Sequence, residues 1–256
     1  MADQLKLMGR VYARARRKKY PVHEHFWVSM TLAFIGGFLE SYTYLLKGNV
    51  FANAQTGNFA LMAMNFTYFH NPLKALFYLI PISAYVLGIF MTIHMPSHIK
   101  GKVSWYTVFV IIQFCVFFMV GLLPASVPNS VTTVAVAFLC AMQYNTFKAC
   151  RGVVMSTVFC TNNLRQLALA VSKNLNSDRN ALFRSGILYL VNIIFFVSGA
   201  AVGGYLIYLL ARLGWHSERA IWLCCVILVP LGLYLHIKGD RETAKLRKMQ
   251  AQLAEQ

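Results

Sequence analysis

Long apolar segments separated by short polar ones constrain this chain more than any other feature. A helix needs about 20 mostly apolar residues to cross a hydrocarbon core about 30 Å thick. We predict spanning helices at residues 26–46, 72–95, 103–123, 131–147, 182–211 and 220–237. The chain is 58% hydrophobic and only 12% charged, whereas a soluble domain is about 25% charged. The sequence therefore predicts an integral, multi-pass membrane protein in a lipid bilayer.

The basic residues indicate how the chain is oriented. The net charge is +16, but the Lys and Arg residues lie mostly in loops and termini that alternate with the apolar segments, which argues against nucleic acid. Cytoplasmic loops are enriched in these residues. An even number of spans places both termini on the same side of the membrane. Of the 24 Lys and Arg residues, 20 then fall on that side. We therefore predict the plasma (inner) membrane, with both termini cytoplasmic.

Three regions follow from this pattern. They are a basic cytoplasmic arm (residues 1–25), a transmembrane domain (26–237) and a basic cytoplasmic tail (238–256). Anionic lipid of the cytoplasmic leaflet attracts Lys and Arg, so the basic termini are predicted to bind it. A second interpretation of the arm, as a tail that only fixes orientation, stays open.

One apolar segment is too short to span. Phe59–Phe66 has eight residues and would be about 12 Å long as a helix. It follows the polar run Asn53–Asn58, which comes after the first predicted span. Irregular polar backbone at membrane depth is tolerated only where protein or a water-filled cavity covers it. We therefore predict a broken, re-entrant half-helix.

The second half of the chain repeats this order of parts. At an offset of 105 residues, Glu40 aligns with Asn145, Thr56 with Thr161, and Asn58 with Asn163. The order in each half is a span, a break, a half-segment and two further spans. Three spans are an odd number, so the second half is inverted relative to the first. The predicted fold is all-α, with six transmembrane helices in two inverted three-helix repeats (26–123 and 131–237), each with a half-helix.

Inverted repeats with broken helices place a binding site near the bilayer midplane in many transporters. The start of a half-helix leaves backbone N–H groups without partners and carries positive dipole charge, which suits an anion or a carboxylate. Thr and Asn also cap helices, so a purely structural role is the alternative. The predicted substrate-binding residues are Glu40, Asn53, Gln55, Thr56, Gly57, Asn58, Gln143, Asn145, Thr161, Asn162 and Asn163.

Glu40 is an ionisable residue inside the first predicted span. A charge there costs roughly 2.5–3.5 kcal/mol on insertion scales, so it has a partner or a function. We interpret Glu40 as a proton or cation coupler. The alternative is a neutral or salt-bridged carboxyl that holds two helices together, with Tyr44, Lys47, Gln143, Asn145 and Arg151 as candidate partners.

The remaining motifs indicate no other chemistry. The six cysteines lie in or beside apolar segments without Cys-x-x-Cys spacing, and His23-Glu24-His25 lacks further ligands nearby. We therefore expect no metal, no cofactor and, without a hydrolase or phosphate-binding motif, no enzyme. The small-residue pairs Ala84/Gly88 and Gly199/Gly203 allow close helix approach, either in a homodimer or within one chain.

The run from Gly48 to Asn58, after Gly36-Gly37-Phe38-Leu39-Glu40, resembles the YoaK family of membrane proteins. The resemblance extends over residues 25–237 and includes Met142-Gln143-x-Asn145 and the Thr161 motif. That family usually has Asp where this chain has Glu40, and Gly where it has Asn162. The resemblance implies a six-span membrane protein and no settled activity.

The sequence thus predicts a secondary transporter or channel for a small anionic or carboxylate-bearing solute, bound between the two half-helices. The alternative is a non-transporting membrane module that binds lipid or a protein partner through its basic arm and small-residue helix faces.

Overall fold

The computed structural model of the protein describes residues 20–99, 103–124, 126–174 and 179–254. Residues 1–19 of the predicted basic arm lie outside these ranges. The helices are α1 (Phe26–Leu46), α2 (Gln55–Thr67), α3 (Pro72–Phe77), α4 (Leu79–His98), α5 (Trp105–Leu122), α6 (Asn129–Thr146), α7 (Thr161–Asn174), α8 (Arg179–Arg212), α9 (Trp222–Tyr234) and α10 (Asp240–Ala254). The all-α class is confirmed. A hairpin of two short strands, β1 (Ala149–Cys150) and β2 (Val153–Val154), also lies between α6 and α7.

Four helical stretches in the described ranges are long and apolar enough to cross a membrane: Pro72–His98, Trp105–Leu122, Arg184–Arg212 and Ser217–Leu246. The predicted integral membrane class agrees with this result. The first and fourth predicted spans form α1 and α6, but neither is among the four. Both helices bury polar side chains, such as Thr43 and Gln143, against other helices. Such helices need less apolar surface, because neighbouring helices cover them.

The chain turns sharply after α1. Gly48 and Asn49 have φ angles of 82° and 59°, in the left-handed region that glycine adopts freely and that asparagine tolerates best among other residues. Arg151 and Gly152, the two residues between β1 and β2, also have positive φ angles, of 50° and 77°. This is the backbone that a tight two-residue hairpin requires.

Backbone contacts without intervening side chains join the longest helices. A Cβ atom on Gly37 would lie 1.8 Å from the Phe196 carbonyl oxygen, and one on Gly199 would lie 1.9 Å from that of Phe34. The axes of α1 and α8 therefore approach closely because these positions lack side chains. In the same way, a Cβ on Gly88 of α4 would lie 2.5 Å from the Phe138 carbonyl oxygen of α6. These small residues pack within one chain.

The helices alternate between two ends of the bundle. At one end, which we call the terminal end, the Val22 N–H donates to Glu242 and the Ser104 N–H donates to Asp240, both at 2.8 Å. At the opposite end, the Lys47 ammonium lies 3.9 Å from the Glu218 carboxylate. The segments before α1 and after α9 therefore lie at the same end of the bundle.

Candidate functional site

The two interrupted regions are each followed by a short helix. The first break comprises residues 47–54 and precedes α2, which has 13 residues; the second break comprises residues 147–160 and precedes α7, which has 14 residues. At a rise of 1.5 Å per residue each helix is about 20 Å long. The prediction of an eight-residue segment at Phe59–Phe66 was too short, because α2 begins at Gln55 and includes Thr56–Asn58 in its first turn.

The two breaks contact each other through Asn53. Its Nδ2 atom donates to the Val158 carbonyl oxygen at 3.0 Å and to the Gly36 carbonyl oxygen at 3.3 Å. Asn53 and Val158 are separated by 105 residues, which is the offset of the sequence repeat. A Cβ atom on Gly36 would lie 2.4 Å from the Thr157 carbonyl oxygen. The glycine therefore lets the backbone of the second break lie directly against α1.

Glu40 lies on α1 beside this contact. Its carboxylate accepts a hydrogen bond from the backbone N–H of Asn53, while its Oε2 atom is buried without a partner. The thiols of Cys140 in α6 and Cys160 in the second break lie within electrostatic range of the carboxylate. Glu40 is thus surrounded by the first break, the second break and α6.

Two further buried oxygen atoms of the first break region have no partner, namely Asn53 Oδ1 and Asn58 Oδ1. Hydrogen bonds fix the orientation of both amides. Asn53 uses its Nδ2 atom for two carbonyl groups. Gln55 donates to the Ala52 carbonyl oxygen at 2.7 Å, so its own oxygen accepts from Asn58 at 2.9 Å. Asn58 also donates to the Phe51 carbonyl oxygen at 2.8 Å, and its oxygen is left over.

In the second break, by contrast, the buried amide of Asn163 has all of its hydrogen-bond partners. Asn163 donates from Nδ2 to the Ser156 carbonyl oxygen and to Asn192 Oδ1, both at 2.7 Å, and accepts from the Ser156 N–H at 3.0 Å. Ser156 in turn accepts from the backbone N–H groups of Val158 and Phe159. Both the nitrogen and the oxygen of the Asn163 amide are therefore paired inside the protein.

Two predicted site residues on α6 have structural partners. Gln143 is buried and donates to the Leu32 carbonyl oxygen at 3.0 Å and to Thr157 Oγ1 at 3.1 Å, while it accepts from Gln113 at 2.8 Å. Asn145 donates to Thr92. Gln143 thus holds the second break against α1, whereas Asn145 joins α6 to α4.

Other predicted residues lie apart from Glu40. Thr56, Thr161 and Asn162 are exposed on the protein surface. Gly57 lies beside Phe51, since a Cβ atom on Gly57 would lie 3.4 Å from the Phe51 ring. The structure therefore brings Asn53 to Glu40 and Gln55 to Asn58, but it does not gather all eleven predicted residues around one point.

The candidate partners of Glu40 have other contacts. Lys47 pairs with Glu218, the Arg151 guanidinium lies 5.1 Å from the centroid of the Phe26 ring, and Tyr44 stacks on Phe51. Burial lowers the pKa of Lys47, and the charge of Glu218 opposes this shift. The partner of Glu40 is instead a backbone N–H, which has no residue-type signature in a sequence.

Sequence reasoning missed three side chains of this network, namely Gln113, Ser156 and Thr157. Gln113 is the one with a sequence signal, because it is an amide inside an apolar span. Its nitrogen donates to Gln143, and its Oε1 atom is buried without a partner.

Three cavities lie elsewhere on the protein. They have volumes of about 990, 520 and 460 Å³, and none of the three is lined by Glu40. Across the described ranges, no three His, Cys, Asp or Glu side chains are placed together to hold a metal ion. None of these three cavities is therefore a site that includes Glu40.

Together, the helical architecture, the apolar surface and the two breaks define a multi-pass integral membrane protein. Residues 28–234 match the family described as "Protein of unknown function (DUF1275)". The chain therefore belongs to this family, and the resemblance of its Gly48–Asn58 motif to the YoaK family is consistent with that membership. No curated protein and no solved structure matches the chain.

Proposed function

We propose that this protein is a secondary transporter or channel for a small anionic or carboxylate-bearing solute. The solute binds between the half-helices α2 and α7, and Glu40 couples its movement to a proton or cation. The observation that carries this proposal is the buried Oε2 atom of Glu40, which has no partner where the two breaks meet. Leaving such a group unpaired costs free energy, so it persists where a ligand or a proton supplies the missing donor.

Two structural correspondences between the halves of the chain support this proposal. Asn58 donates to the carbonyl oxygen of Phe51, and Asn163 donates to that of Ser156. Each pair is separated by seven residues, and the two pairs are related by the 105-residue offset of the sequence. The packing of helices has the same correspondence: α1 of the first repeat packs on α8, and α6 of the second repeat packs on α4. Six spanning helices in two inverted halves would produce this exchange.

The two ends of the proposed site have different chemistry. The first turns of α2 and α7 present helix N-termini, whose partial positive charge suits a carboxylate of the solute. Glu40, Asn53 and Asn58 present oxygen atoms, which accept from a proton or coordinate a cation. We propose no enzymatic reaction. In the orientation that the basic residues predict, both termini are cytoplasmic in the plasma membrane, and the basic termini contact anionic lipid.

The test is ligand-dependent thermal stability of the purified protein at two pH values. The probes are acetate, benzoate, chloride, phosphate and nucleobases, applied to the wild type, Glu40→Gln and the control Glu218→Gln. A ligand at 100 times its Kd adds about 2.7 kcal/mol to the stability of the folded state. We expect a pH-dependent increase in Tm for the wild type and the control, and a pH-independent or absent increase for Glu40→Gln.

Uptake into proteoliposomes then distinguishes coupling from binding. A solute identified by stability should be accumulated by the wild type under a proton or cation gradient, and Glu40→Gln should abolish that accumulation while the protein stays folded. Full coupled uptake by Glu40→Gln would contradict the coupling role. No stabilising probe, with Glu40→Gln as stable as the wild type, would favour the alternative function.

That alternative is a non-transporting membrane module that binds lipid or a protein partner. The observation that favours it is the largest of the three cavities, which is lined by two arginine side chains at the terminal end. Deleting residues 2–20 should abolish the effect of such a module, whereas mild substitutions in the breaks should leave it intact.

A further inference from the structure

A cleft of about 990 Å³ opens at the terminal end of the bundle. It lies between the start of α1, the β1–β2 hairpin and the first turns of α8 for which side chains are described. Arg151 and Arg184 line it, together with the aromatic side chains of Phe26 and Trp27. We call this cavity the basic cleft. It is separate from Glu40, which does not line it.

The two arginines of the basic cleft carry charge that no acidic side chain of the described residues neutralises. Both are exposed, and in the described part of the chain neither forms an ion pair with Asp or Glu. The neighbouring acid, Glu24, uses its carboxylate to accept from the Gly152 N–H at 2.9 Å. The Arg151 guanidinium lies over the Phe26 ring, which holds this side chain in one place.

The remaining walls of the basic cleft are suited to a lipid. Leu188 and Val191 extend one wall along α8, and Trp27 is 70% exposed at the start of α1. Trp is enriched where a membrane protein meets the headgroup layer. Arg184 lies at the terminal end of the candidate membrane span Arg184–Arg212, so its side chain is near the end of the span that the basic cleft adjoins.

We propose that the basic cleft binds the phosphate headgroup of an anionic phospholipid, with its acyl chains along α8. Arg binds phosphate with a planar, bidentate fork, and the two guanidinium groups line the same cavity. A soluble phosphate ester would use the arginines but not the apolar wall, so the adjoining apolar surface favours the lipid. The proposal does not depend on whether the protein transports a solute.

The test compares lipids added to the purified protein in a neutral detergent. The variants are Arg151→Gln/Arg184→Gln, the charge-preserving Arg151→Lys/Arg184→Lys, and the control Lys74→Gln/Arg212→Gln, which removes two exposed cations at the opposite end. Phosphatidylglycerol, phosphatidylcholine and glycerol 3-phosphate are titrated against thermal stability, and native mass spectrometry counts the bound lipids.

We expect phosphatidylglycerol, but not phosphatidylcholine, to raise the Tm of the wild type and the control. The double Gln variant should bind phosphatidylglycerol about 30-fold more weakly, because each cation near an anionic surface changes affinity roughly fivefold. The double Lys variant should retain part of the affinity. It also keeps the test valid if the Gln variant does not fold.

Three results would overturn the proposal. Equal binding of phosphatidylcholine would show that the headgroup charge is not recognised. Equal stabilisation by glycerol 3-phosphate would show a soluble phosphate site in place of a lipid site. Unchanged phosphatidylglycerol affinity in the double Gln variant would place the lipid elsewhere on the protein.

Discussion

The two breaks have the same backbone plan but differ in how their buried amides are paired. In each, an asparagine in the first turn of a half-helix donates to a carbonyl oxygen seven residues earlier. Asn163 also accepts from the Ser156 N–H and reaches Asn192 on α8. Asn58 has no such acceptor bond, and its oxygen is buried without a partner.

This difference lies in the number of buried oxygen atoms that each region leaves without a hydrogen-bond partner. The amide of Asn163 is paired at both its nitrogen and its oxygen, so it needs no ligand to satisfy it. The first break and the two helices that flank it leave oxygen atoms of Glu40, Asn53 and Asn58 unpaired. All three are acceptors, so they favour a ligand that brings a proton, a cation or a hydrogen-bond donor. Under the function proposed above, this asymmetry favours coupling at the first break and a structural role for the second.

The largest expected effect is on stability, from Asn163→Leu compared with Asn58→Leu. Removal of the Asn163 amide leaves three buried groups unpaired and should cost about 3 kcal/mol or more. Asn58→Leu leaves two acceptors unpaired but also removes a buried oxygen that had no partner, so we expect about 1 kcal/mol. Both losses are measured as changes in the free energy of unfolding of the variants in mixed detergent micelles.

Asn65→Leu is the matched control, because Asn65 is also buried in α2 but donates only to the Leu61 carbonyl oxygen one turn earlier. Its cost should not exceed that of Asn58→Leu. An Asn58→Leu protein that loses as much stability as Asn163→Leu would mean that the two breaks are equally structural, and the assignment of coupling to the first would fail.

The sequence predicts the helices better than it predicts what joins them. The first span was predicted at residues 26–46, which are the bounds of α1, because apolar composition ends at Lys47-Gly48. The start of the first half-helix was predicted less well. Polar first turns resemble loops in composition, so the predicted segment Phe59–Phe66 excludes Gln55–Asn58, which form the first turn of α2.

The contacts of the site were predictable only in part. The 105-residue offset identified Asn58 and Asn163 as equivalent. Their hydrogen bonds are equivalent too, because each donates to the carbonyl oxygen seven residues earlier. The partner of Glu40 was not predictable, since it is the backbone N–H of Asn53. The β1–β2 hairpin was missed because two-residue strands have no periodicity to detect. The roles of the eleven predicted site residues in binding stay predictions.

An intermediate effect is expected from Gly36→Ala, which tests the contact between the breaks. The added Cβ would lie 2.4 Å from the Thr157 carbonyl oxygen, so the second break must shift. Overpacking of this kind costs about 1–3 kcal/mol. At Gly204, on α8, the nearest atom would be 3.8 Å away, so Gly204→Ala should be neutral or slightly stabilising. The Tm values of the two variants in detergent provide the comparison.

The contact between the breaks also bears on ligand binding. A shift of the second break should alter the surroundings of Glu40 and change the pH dependence of any ligand-induced Tm increase. If Gly36→Ala is as stable as Gly204→Ala and binds the probes like the wild type, the close approach of the second break to α1 is not required, and the site must be formed by the first break alone.

The smallest expected effect is a pH dependence of stability that is confined to the second break. The second break is attached to the Val22–Glu24 turn through the Arg151 N–H, which donates to the Glu24 carbonyl oxygen at 2.8 Å. In that turn His23 stacks on Tyr106. Burial, together with the charge of His25, lowers the pKa of His23 to about 4 from its ordinary 6.5. Between these values the unfolded chain binds more protons, so stability decreases as the pH falls.

From about pH 7 to about pH 6 this loss should be at most about 0.7 kcal/mol. His23→Phe keeps an aromatic ring against Tyr106 and should remove the pH dependence. Hydrogen exchange at residues 149–154 and 47–54 reports each break separately. After correction for the pH dependence of the intrinsic exchange rate, we expect the protection factors to fall on acidification only in the hairpin of the wild type, because the first break has no contact with this turn. An equal loss of protection in both segments, or a loss in His23→Phe, would mean that another group titrates and that the breaks open together.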